Sequence, residues 1–172
     1  GINTTLASNY KAKDELNHSF GLAYYHMAGL NKIKENNLKI TATFDKRYDL
    51  LHLEEDQVLG INAGYNFLNQ NDTSGHINSG IFLLNPFIKA TYKEYSFMAG
   101  FKLYISNDSV TKANFYPVAE AKLELIPGAL KLFAGIGGGM ERSTLQYLTT
   151  QNQYLSAIVP WNYIYDDFNI NG

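Results

Sequence analysis

The carboxylates of Glu120 and Glu124 flank the ammonium of Lys122 in the run "AEAKLEL". Paired carboxylates are raw material for general acid–base chemistry. In an extended chain, however, residues i and i+2 share a face about 6.6 Å apart, so this triplet reads as a ladder of alternating charge. Lys89 and Lys102 are its expected partners on neighbouring strands. Lining a wet passage, such a ladder orients water and biases which solutes pass. The run "GIGGGMER", Gly135 to Arg142, has the glycine density of a phosphate cradle. It lacks the Lys-Ser/Thr that completes one and opens no clear helix, so its glycines read as devices that let a strand curve. The histidines His18, His26, His52 and His76 show no ligand spacing. The oxygen-rich link Asn69 to Gly75 lacks the spacing of a calcium loop and reads as a turn. Ser and His adjoin in "NHSF" with no nucleophile elbow around them. The expectation is a protein that is not an enzyme and carries no metal or cofactor.

Those residues must be held by something, and bulk properties narrow what it is. The chain has 172 residues, no cysteine, a net charge of -2 and a sequence pI near 6.1. That charge offers no field for nucleic acid or an anionic membrane surface. Disulfides and thiolate metal sites are excluded. No run of about 18 apolar residues exists, which excludes a membrane-spanning helix and leaves a closed β-barrel as the one way to cross a bilayer. Thirteen Tyr and ten Phe stand against a single Trp, and Tyr is suited to an interface with one wet end. The start "GINTT" has neither an initiator Met nor a signal peptide, so we read residues 1–172 as a mature chain or an excised piece, a single β-barrel region.

Period-two alternation runs through most of the sequence, with turn residues between the runs. It predicts about eight strands, near residues 2–10, 17–27, 37–46, 56–68, 77–92, 95–106, 113–125 and 129–142. In "LGINAGYNF", Leu59, Ile61, Ala63, Tyr65 and Phe67 share one face, and Gly60, Asn62, Gly64 and Asn66 the other. In "YSFMAGFKLYIS", Phe97, Ala99, Phe101, Leu103 and Ile105 oppose Met98, Gly100, Lys102, Tyr104 and Ser106. The eighth strand sets Leu130, Leu132, Ala134 and Ile136 against Lys131, Phe133, Gly135, Gly137 and Gly139.

Several runs reach about twelve residues, twice the usual strand. At about 3.3 Å per residue and a tilt of about 45°, such a strand spans roughly 28 Å, close to the apolar band of an outer-membrane barrel. Tight turns at Lys93-Glu94 and Ile126-Pro127-Gly128 alternate with longer polar links, "NQNDTSGH", "NDSVTK" and Ser143 to about Asn162. The link "KRYDLLHLEED" is too long for that scheme. Alternation alone leaves two orientations open. A soluble sheet buries its apolar face; a membrane barrel turns that face to lipid and encloses the polar one. Strand length, loop pattern and the glycines among the polar positions favour the second, placing Lys39, Asn62, Asn66, Lys89, Lys102, Glu120, Lys122 and Glu124 toward a wet lumen. Trp161, Tyr163 and Tyr165 alternate at what would be the outer rim, as membrane-interface aromatics or as core. The long link before them has room for a short helix.

The run "NFYPVAEAKLELIPGALKLFAGIGGGMERSTLQYLTTQNQYLSAIVP", with "YSFMAGFKLYI" before it, resembles the barrel portion of Bacteroidota outer-membrane proteins similar to TonB-dependent receptors. The likeness covers roughly residues 77 to 165. It lies in a "YP" strand leading through a tight turn to "AGIGGG", then a long loop holding Asn152-Gln153-Tyr154-Leu155-Ser156. No plug domain, TonB-box-like leader or terminal aromatic residue accompanies it, and a further strand begins in "DDFNING". The resemblance implies an all-β, antiparallel up-and-down transmembrane β-barrel, here a segment of a larger one, in the bacterial outer membrane. Its partners would be the lipid bilayer and other envelope proteins, with no nucleic acid. Its work would be porin-like or receptor-like solute passage, or support of an envelope complex. The alternative expectation is a soluble β-barrel or sandwich that binds an apolar ligand or a sugar inside.

Overall fold

Alternating sequences of this kind pair best with their chain neighbours, because antiparallel strands close through short hairpins. A computed structural model describes residues 1–8, 10, 15–28, 33–49, 57–72, 75–107, 111–126, 129–151 and 163–171; at Asp72, Gln151 and 163–171 it describes the backbone alone. The chain is all-β and strictly up-and-down. Its strands are β1 (Ile2–Ala7), β2 (Leu16–Ala28), β3 (Lys34–Tyr48), β4 (Gln57–Asp72), β5 (Gly75–Tyr92), β6 (Tyr95–Asn107), β7 (Thr111–Ile126), β8 (Leu130–Arg142) and β9 (Tyr163–Asn171). One short helix, α1 (Leu145–Gln151), follows β8. All nine strands form one antiparallel sheet in chain order. The described residues give no pairing of β1 with β9, so the sheet is open and not closed into a barrel.

Among the described residues there are the eight expected strands and the further one, which begins at Tyr163, ahead of "DDFNING", and pairs with β8. Three differences from the sequence expectation have physical causes. The expected polar link "NQNDTSGH" is mostly strand, since β4 runs to Asp72 and β5 starts at Gly75. Side-chain ladders hold that extension together: the Asn69 amide donates to Asn78 at 2.8 Å, and His76 contacts Asn71. Similarly, "NDSVTK" shrinks to residues 108–110. Two of the three expected long links on that rim therefore shorten, while the one after β8, from Ser143 to Asn162, stays long. Of the two tight turns, Lys93-Glu94 is a two-residue hairpin, and Lys93 adopts the left-handed φ of 52° that such turns require.

The third difference is in β8. Its pairing with β9 is irregular between Gly137 and Gly139, where two steps on β8 face three on β9, a bulge on the β9 side, and β8's own alternation breaks at the same glycines. Strict alternation would carry Met140 to the face of Ile136. Instead Met140 packs on Ile81 and Tyr116, and its sulfur accepts from Asn114 at 3.5 Å.

The sheet rolls so that its inner faces meet. Arg142 on β8 donates to the Ser79 carbonyl on β5 at 3.2 Å and to the Ser79 hydroxyl. Lys102 on β6 donates to the Gly138 carbonyl at 3.1 Å. The Leu145 N–H at the start of α1 donates to Glu35 on β3 at 2.7 Å. Glycines on the inner face make room for this curl. At Gly60 the Phe87 ring occupies the space of a Cβ, and at Gly100 a Cβ would meet the Pro86 carbonyl at 2.5 Å.

Candidate functional site

A soluble domain hides its large apolar side chains, and this chain does the reverse. Among the described residues, twenty-six large apolar or aromatic side chains are exposed and six are buried. Many of the exposed ones fall on the outer face of consecutive strands: Phe20 and Leu22, Ile40, Leu59 and Tyr65, Phe82 and Ile88, Phe97 and Phe101, Phe115, Leu132 and Ile136. Single exposed apolar residues need no account, but a contiguous patch on this scale marks an interaction surface.

The belt has edges. Toward the rim that carries α1, the outer face turns polar. Tyr24 and His26 both bond Asn36, at 3.0 and 2.8 Å, and Asn36 continues to Asn69 and Asn69 to Asn78. Toward the other rim β3, β5 and β6 end in Tyr48, Tyr92 and Tyr95, with Lys46 over the Tyr48 ring and Lys93 over that of Tyr92. Between these limits the apolar run on β5, Phe82 to Tyr92, covers eleven residues. That is about 33 Å of strand, or about 23 Å along the normal at a tilt of about 45°.

The inner face carries the polar residues read from the sequence. Thr43 donates to Asn62 at 2.9 Å, and Asn17 to Asp45 at 3.2 Å. Lys39, Asn62 and Asn66 come together around one cavity of about 560 Å³. Ile81, Leu83, Phe87 and Phe133 are apolar exceptions on this side. The charge ladder differs in detail from expectation. Glu120 pairs with Lys122 two residues along its own strand, and Glu124 pairs with Lys131 of β8 at 3.3 Å. Neither expected cross-strand partner joins it. In register, Met98 stands between Lys89 and Glu120, while Tyr116 stands opposite Lys102, whose ammonium goes to Gly138. Register explains both outcomes: Lys89 lies two strands from Glu120, and Lys102, on the adjacent strand, lies four residues along from the position opposite it.

Several features had no sequence signal. Glu35 is fully buried, holding the Tyr25 hydroxyl at 2.7 Å through one oxygen and Leu145 of α1 through the other. Thr144 caps the same helix through its hydroxyl to the Tyr147 N–H at 3.1 Å. Ile81, Tyr116 and Met140 with Tyr104 form the buried cluster beneath. Contacts across more than a hundred residues leave no trace in local periodicity; only the Thr144 cap was readable. His18 bonds Ser8, while His26 and His76 belong to the outer amide ladder. His52 and Trp161 lie outside the described residues, and for Tyr163 and Tyr165 only the β9 backbone is described. No family model, no curated protein and no solved structure matches the chain.

Proposed function

We propose that this sheet is a wall of an outer-membrane β-barrel of the kind found in TonB-dependent-receptor-like proteins of Bacteroidota, with its outer face against lipid. The continuous apolar outer belt, edged by tyrosines at one rim and by an amide ladder at the other, carries this reading. A belt about 23 Å tall fits the roughly 25 Å apolar band of such barrels, and interfacial Tyr and Lys belong at its edges. The inner face, with Lys39, Asn62, Asn66, Lys102 and the Glu120–Lys122 pair, then faces water and supports passage of a polar solute or docking of an envelope partner, with no chemistry of its own. A soluble barrel with an apolar interior would need the opposite assignment of faces.

In lipid every backbone N–H and C=O must be satisfied within protein, so the free edges of β1 and β9 must pair with each other or with further strands. The test is folding with and without an amphiphile. The chain is expected to reach its full strand content, by circular dichroism, only in detergent micelles or phospholipid vesicles. A folded, monodisperse monomer in plain buffer would reject the membrane assignment.

A further inference from the structure

The cavity of about 560 Å³ lies on the inner face between β3–β6 and the segment from Arg142 into α1, a volume within the range of small-molecule sites. We propose that it binds a small hydroxylated organic anion, a sugar acid, with its carboxylate on Lys39. This deepens the solute-passage reading and rests on the inner face being wet.

Lys39 and Asn66 stand directly opposite each other across β3 and β4. The Lys39 ammonium has no hydrogen-bonding or ionic partner among the described residues. The Asn66 side chain lines the same cavity, with its amide nitrogen as the end open to it. A carboxylate on Lys39 and an adjacent hydroxyl accepting from the Asn66 amide engage both residues at once. One and two rungs further along β3 lie Thr41 and Thr43; the Thr43–Asn62 bond uses the Asn62 carbonyl and leaves its amide to donate to a second hydroxyl. The opposite wall presents Tyr104 and, from α1, the exposed Tyr147. Their rings suit the C–H face of a pyranose. Charge selects the anion over a neutral sugar. The lining holds two cations, Lys39 and Arg142, against the single carboxylate of Glu141, and Arg142 is already engaged by Ser79.

The experiment titrates the detergent-folded chain with galacturonate and with galactose by isothermal calorimetry, after circular dichroism has confirmed equal strand content in each variant. Galacturonate is expected to bind about tenfold tighter than galactose or better, a margin of about 1.4 kcal/mol. Lys39→Met should abolish that margin, Lys39→Arg should retain it, and Lys131→Met, whose lysine pairs with Glu124 outside the cavity, should leave it intact. Equal affinity for the two sugars, no binding by a fully folded chain, or a margin that survives Lys39→Met overturns the proposal. The membrane reading fails separately, on folding in plain buffer, which this titration does not measure.

Discussion

Replacing Phe101 with lysine places a charge where the account puts the centre of the bilayer. Phe101 lies on the outer face of β6, six residues beyond Tyr95 at the belt's edge. Six residues are about 20 Å of strand, or about 14 Å along the membrane normal at a tilt of about 45°, near the middle of a band of about 25 Å. Its ring packs against Phe115 at 5.1 Å between centroids, and its backbone pairs with Pro117. A lysine there should cost roughly 2–4 kcal/mol in lipid, the depth-dependent penalty at the midplane. The lost ring contact adds about 0.5–1.5 kcal/mol. The assay is reversible urea unfolding from phosphatidylcholine vesicles, comparing midpoints at a common slope. On a sheet whose outer face met water, the lysine would cost only the ring contact. A Phe101→Lys chain as stable in vesicles as its parent would refute the orientation.

Asn62→Leu on the inner face removes the Thr43 bond and should cost about 0.5–1.5 kcal/mol in the same assay, with insertion unimpaired. Gly100→Val drives a side chain into the Pro86 carbonyl and Phe87 and should lose about 1–3 kcal/mol, whereas Gly64→Ala, whose Cβ would sit 3.8 Å from its neighbours, should stay within about 1 kcal/mol. Glu35→Ala removes the acceptor of the Leu145 N–H and the Tyr25 hydroxyl. A loss of about 1–3 kcal/mol in seating α1 should speed chymotryptic cleavage at Tyr147 by about fivefold or more. Lys122→Gln breaks the pair with Glu120, but that lysine is 61% exposed, so stability should move by less than about 1 kcal/mol.

Much of the fold was legible because a rolled antiparallel sheet is specified by local alternation. The faces of "LGINAGYNF" and "YSFMAGFKLYIS" follow from period two alone, and so does the shared side of Lys39, Asn62 and Asn66. The polar ends of β4 and β5 were read as a loop because Asn, Asp, Ser and Gly favour turns. Amide and imidazole groups paired across the hairpin overrode that preference. The turn of Met140 and Arg142 toward the inner face is a break in β8's alternation at three consecutive glycines, and composition cannot place such a break. The seat of α1 on Glu35 joins residues 110 apart. Only the roll of the whole sheet brings them together, so no window of sequence contains the signal.

The native chain has no cysteine, so each introduced cysteine gives a unique label. Single cysteines at Leu59, Gly60, Ile61, Asn62, Ala63, Gly64, Tyr65 and Asn66, carrying a fluorophore in vesicle-reconstituted protein, read out the two faces of β4 in turn. Brominated lipid should quench the labels at 59, 61, 63 and 65, and aqueous iodide those at 60, 62, 64 and 66. The reverse pattern, or iodide quenching at every position, would contradict the assignment of the apolar face to lipid.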